Sequence, residues 1–147
     1  MRLTRFTDYS LRVLIYLGQN RQQRVTIHQI SEEYDISKNH LMKVVSNLTR
    51  SEFVVAQRGP GGGIQLNRAP EEICLDEVIS KTERHLQQFT GPGRDDADEH
   101  CAHSRLSNFL QYALQAYLET LSNFTLADVL DPSSDITRLL EFSEEAA

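Results

Sequence analysis

His100, Cys101 and His103 put two imidazoles and a thiol within four consecutive residues, directly behind Asp95, Asp96, Asp98 and Glu99 in GRDDADEHCAHSRL. These donor types suit a borderline ion such as zinc, or an iron centre. The spacing is short for all three to reach one ion, and the four carboxylates disfavour the Cys101 thiolate. A second set carries different chemistry. Asn39, Lys43, Ser46 and Arg50 recur at helical spacing in SKNHLMKVVSNLTR with no acid among them. Such a face can read base edges and phosphates, although a polar helix face is more often merely solvated. A third set is RGPGGG, whose glycines expose backbone N–H groups for close approach to a polyanion. No Gly-Lys-Ser/Thr follows it, and the next run is β-prone, so a nucleotide phosphate loop is not expected. No nucleophile, base and orienting group occur in a recognisable pattern, and no enzyme is expected.

These sets need elements to hold them. FTDYSLRVLIYLGQN reads as a first helix, started by Thr7 or Asp8. Thr26 and Gln29 stand at capping-box spacing before a short second helix that ends near Tyr34. Ser37 is a good N-cap for a third helix, whose inner face is Leu41, Val44, Val45 and Leu48. FVVAQ and IQL flank the glycine tip as a hairpin. An amphipathic helix over 75–82 follows, with Cys74 expected as a buried small hydrophobe. Residues 85–103 have loop composition. The stripe Leu106, Phe109, Leu110, Ala113, Leu114, Tyr117, Leu118 and Leu121 then marks a long helix. TLADVLD reads as a short helix stopped before Pro132, and DITRLLEF as a last turn or two.

Charge divides the same way. Residues 1–70 carry +5 and residues 71–147 carry −11, giving −6 over 147 residues. One half is suited to a polyanion and the other is not. No apolar run approaches the roughly 18 residues of a membrane span. The opening MRLTRFTDYS has no continuous apolar segment of the secretory type, and two cysteines are too few for a disulfide framework. A cytoplasmic protein with no membrane partner is expected.

Three short helices followed by a glycine-tipped hairpin are the order of a winged helix-turn-helix. MRLTRFTDYSLRVLIYL, SKNHLMKVVSNL, RGPGGGIQL and TLADVL together resemble the NsrR/IscR-type (BadM-like) family of winged-helix transcription regulators. The resemblance covers roughly residues 1–131. It implies a homodimer, usually a repressor, in which the long helix crosses its partner. It further implies that Ser37, Lys38, Asn39, His40 and Lys43 read or clamp the major groove. Arg58, Gly61, Gly62 and Gly63 would form the wing contact. Arg12 would meet phosphate, or else pair with an acid. Relatives place three cysteines, five or six residues apart, ahead of the long helix as iron–sulfur ligands, with an acid of the other subunit at the position of Asp8. Counting back from RLSNFLQYAL, those three places fall near Gly93, Asp98 and Ser104, and none is a thiol.

The expected fold is therefore mainly α with a small β-hairpin. A winged helix-turn-helix DNA-binding domain takes 1–82, a sensor-like loop 83–103, and a long dimerisation helix with the C-terminal segment 104–147. The expected function is a DNA-binding transcription regulator, a repressor, bound as a homodimer to a two-fold-related operator on double-stranded DNA. Its iron–sulfur sensor site is degenerate. No cofactor is expected; the alternatives are an atypical iron–sulfur cluster or iron centre through Asp8, His100, Cys101 and His103, or zinc on the Cys/His set. A protein-interaction module that keeps the fold but not specific DNA binding is the rival function.

Overall fold

Hydroxyl caps set the helix starts. In the computed structural model, which describes residues 3–83, 85–86 and 102–133, α1 spans Arg5–Gln19. Thr4 is its N-cap, accepting the Thr7 N–H, so the helix starts ahead of both Thr7 and Asp8. The reason is tertiary. Oε1 of Glu83 accepts the Thr4 N–H at 2.7 Å and the Thr4 hydroxyl at 3.0 Å, closing the helix end from 79 positions away. α2 (Ile27–Tyr34) opens on the Thr26–Gln29 capping box and stops at Asp35, which takes a left-handed conformation. Ile36 is buried in the link, and Ser37 caps α3 (Lys38–Arg50) by accepting the His40 N–H.

Val13, Leu14 and Leu17 of α1 pack with Ile30 of α2 and with Leu41, Val44, Val45 and Leu48 of α3. Each such buried side chain contributes roughly 1.5–3 kcal/mol. Phe53 is fully buried at the exit of α3 and begins the hairpin. β1 (Val54–Gln57) pairs antiparallel with β2 (Gly63–Leu66), from Val54 opposite Leu66 to Gln57 opposite Gly63. Val25 adds a one-residue bridge to Ile64, with N···O distances of 2.9 and 2.8 Å, and ties the hairpin to the α1–α2 link.

After a short 3₁₀ turn at Pro70–Glu72, α4 covers Leu75–Thr82. Arg68 joins hairpin to α4: its guanidinium meets both carboxylate oxygens of Glu77 at 3.0 Å and lies 4.7 Å above the Phe53 ring. Cys74 is half-buried rather than buried: it occupies the N-cap position of α4, where helical packing has not yet begun. The long helix α5 runs Ala102–Leu121, and α6 runs Leu126–Leu130 from a Thr125–Asp128 capping box. The chain then returns to the first helices. Leu126 is in the core, its N–H donates to the Ile73 carbonyl, and Leu130 packs where Gly18 leaves no side chain. The segment DITRLLEF lies outside the described residues. Among the described residues no helix is long and apolar enough to cross a membrane.

Glu83 gives this assembly an acid dependence. Burial pushes its carboxyl up, but the Thr4 N–H, the Thr7 and Thr4 hydroxyls and nearby His85 outweigh that and hold it below the ordinary carboxylate range. A carboxyl depressed on folding stabilises above its unfolded pKa, and that contribution disappears as pH falls through the folded value. Thermal melts from neutral pH to pH 3 should therefore show a steeper acid loss in the wild type than in Glu83→Gln.

Candidate nucleic-acid interface

α3 presents its N-terminal turn and one full flank to solvent. Lys38, Asn39, His40, Lys43, Ser46 and Arg50 are all exposed, while Leu41, Val44, Val45 and Leu48 are buried beneath them. The alternation follows from helical spacing: the apolar stripe must face α1 and α2, which turns the basic stripe outward. Among the described residues no carboxylate lies within ion-pair distance of Lys38, Lys43 or Arg50. Among the described residues nothing neutralises them, which leaves their charge for an external anion.

Ser37 and His40 are more constrained than the sequence suggests. The Ser37 hydroxyl sits 2.9 Å from Nδ1 of His40 as well as capping the helix, and the His40 ring lies 6.1 Å from that of Tyr9. The imidazole is therefore held in one orientation by α1 and the cap. Tyr9 is a supporting residue that the motif reading missed; its only signal was an aromatic on the outer part of a buried helix.

Arg12 and Asp8 meet each other. Nε of Arg12 donates to Asp8 at 2.9 Å one turn apart, and its guanidinium lies 5.6 Å from the Tyr34 ring centroid. Both side chains are nearly half-exposed, so the pair contributes about 0.3–0.5 kcal/mol at most. Burial raises the Tyr34 phenol above its ordinary range and keeps it neutral beside this pair. Of the remaining candidate metal donors, His100, Cys101 and the side chain of His103 lie outside the described residues. Among the described residues no three His, Cys, Asp or Glu side chains are grouped to hold an ion.

The hairpin tip is built by its glycines. Gly59 and Gly61 take φ of +95° and +71°, and the Gly62 N–H donates to the Gly59 carbonyl at 2.9 Å. A Cβ at Gly62 would press into the carbonyl oxygens of Gln57 and Gly59, whereas a Cβ at Gly61 would meet nothing within 4 Å. Arg58 is exposed at the base of the tip. Gly62→Ala should then distort the tip at a cost of about 1–3 kcal/mol in local strain. In hydrogen exchange the hairpin amides lose protection, while those of α1 and α3 stay near wild type.

One surface lies apart from this face. On α5, Phe109 is 69% and Tyr112 77% exposed, with Leu106 and Leu110 about half exposed. Leu114, Tyr117, Leu118 and Leu121 are half-buried, so among the described residues the exposed part of the stripe is its first half.

The chain is similar to known proteins. The Rrf2 family model, described as an iron-dependent transcriptional regulator, matches residues 3–132. The chain is 44% identical to the HTH-type transcriptional regulator NsrR of Bacillus subtilis (strain 168), across 98% of this chain and 100% of that protein. The NsrR of Bacillus licheniformis is 43% identical across 95% of this chain and 99% of the relative. Among solved structures, T. potens IscR superposes with a TM-score of 0.68 at 22% identity, covering 99% of this chain and 90% of that one. CymR, the global cysteine regulator of B. subtilis, gives 0.67 at 21% identity, covering 88% and 96%. At those identities the two structures bear on the fold alone.

Proposed function

Because the chain belongs to the Rrf2 family of transcriptional regulators, as the family match and the 44% identity to an NsrR show, we propose that it acts as a repressor in homodimeric form. The observation that carries this reading is the exposed basic flank of α3, free of acids, beside a glycine-built wing. Two recognition helices would enter successive major grooves about 34 Å apart on a two-fold-related operator. Lys38, Asn39 and His40 would meet base edges, with Ser37 fixing the helix start. Lys43, Arg58 and the backbone of Gly61, Gly62 and Gly63 would meet phosphates. Arg12 would reach DNA only by leaving Asp8. In this scheme residues 1–82 bind DNA, 83–103 form the former sensor segment, and 104–147 provide the dimer contact, with α6 folded back on α1.

The family description names iron, so the donor set matters. Iron–sulfur clusters are held chiefly by cysteine thiolates. This chain has two cysteines in 147 residues, and Cys74 is placed at the α4 cap. A site of three local thiolates does not fit this chain. We read the protein as working without a cluster. An atypical iron centre on Asp8, His100, Cys101 and His103 is the competing assignment, and stoichiometric iron in protein purified without oxygen would select it.

The test is a titration of a duplex selected from a random library against an unselected duplex, over a salt series. Tight, salt-sensitive preference for the selected duplex is expected. Lys43→Ala should weaken both duplexes and reduce the salt slope by about 0.9. Asn39→Ala should cost about 1–3 kcal/mol on the selected duplex and little on the other. Equal or absent binding of the two duplexes would instead favour a protein-interaction module.

A further inference from the structure

A groove of about 830 Å³ runs along the outer flank of α3. One wall is the stripe Asn39, Met42, Lys43, Ser46, Asn47 and Arg50, which extends for about 16 Å at the helical rise. The other wall is Thr4 and Phe6 at the start of α1, with Thr82 at the end of α4 and His85 three residues beyond it. Its chemistry is lopsided. Lys43 and Arg50 supply positive charge, Nε2 of His85 lies 3.7 Å from the Glu83 carboxylate, and no carboxylate is among these lining residues. Lys43 and Arg50 have no acid within ion-pair distance among the described residues. Phe6 and Met42 supply an apolar surface, Met42 being 51% exposed. Beneath it, Oδ1 of Asn47 is buried and has no hydrogen-bond partner among the described residues.

We propose that this groove is an effector site for a small organic anion with an apolar body. The anionic head pairs with Lys43 and Arg50, and the body covers Met42 and Phe6. A thymine methyl is the apolar group that a major groove offers to Met42, and the duplex competition below separates the two occupants. The consequence is regulatory. Asn39 and Lys43 belong both to the groove and to the proposed DNA face, so ligand and operator exclude each other. This inference rests on the DNA-binding reading for its consequence, but not for the site itself. It also supplies a signal route to a regulator whose cysteines cannot form a three-thiolate site.

The probe is 1-anilinonaphthalene-8-sulfonate, an anion with an aromatic body, followed by its fluorescence on the full chain. Dye is expected to bind the wild type and to be displaced by the selected duplex but not by the same concentration of unselected duplex. Arg50→Gln and Met42→Ser should each weaken dye binding tenfold or more, and Met42→Ser should leave operator affinity within about threefold, since Met42 is not assigned to DNA. Circular dichroism melts near wild type would show that both variants fold. The Phe109→Ser variant controls for dye on the α5 surface and should leave the groove signal intact. Dye binding unchanged in both groove variants, or dye and operator bound together, would overturn the proposal and leave the DNA-binding reading standing. Dye binding that falls as protein concentration rises would assign the groove to a second copy and equally overturn it. Loss of all operator preference, with the Arg50 and Met42 effects intact, would sink the DNA-binding reading and keep the site.

Discussion

Phe109→Glu combined with Leu110→Glu is expected to leave a folded monomer whose operator affinity is lower by two orders of magnitude or more. Both side chains stand on the exposed half of the α5 stripe, so the charges meet water in the single chain and hydrocarbon in a dimer. Paired half-sites convert the second binding event into an intramolecular one, a gain of about 10²–10⁴ that a monomer forfeits. Sedimentation with a duplex titration checks both parts. A dimer that survives the two glutamates would remove α5 from the interface. A monomer that binds as tightly as wild type would remove the two-fold operator from the proposed mechanism.

The second large effect lies in the core. Phe53→Ala should destabilise the fold by about 3–5 kcal/mol, the range for emptying a fully buried aromatic site. Phe53 joins α3 to β1 and carries the Arg68 guanidinium over its ring, so the loss extends beyond a cavity. Arg68, paired with Glu77, would lose its platform, and the hairpin would loosen from α4. Denaturant unfolding measures the first effect. A cost below about 1 kcal/mol would mean that the site collapses around the smaller residue, contrary to the close packing seen here.

The helices and hairpin were largely legible from residue order because their signals are local. Thr26 with Gln29, Ser37 before a basic helix, and the glycines between two β-prone runs each act within a few residues. The start of α1 was not legible. Thr4 wins over Thr7 and Asp8 because Glu83 reaches it from another element, and nothing near Thr4 announces a partner 79 positions away. Cys74 was misjudged for a related reason. Flanking apolar residues suggest burial, yet at the cap position helical packing has not yet begun.

The candidate site divides along the same line. Which residues of α3 are polar, and that they share a flank, follows from helical periodicity and needs no coordinates. That His40 is held by Ser37 and Tyr9, that Arg12 is occupied by Asp8, and that Phe6, Thr82 and His85 wall a groove with the α3 flank all required folding. The Val25–Ile64 bridge and the return of Leu126 and Leu130 to α1 belong with them. Residue order specifies caps, turns and amphipathic faces because these are short-range balances of hydrogen bonding and burial. It leaves unstated which distant faces meet, since that choice depends on packing among elements whose sequences carry no record of their partners.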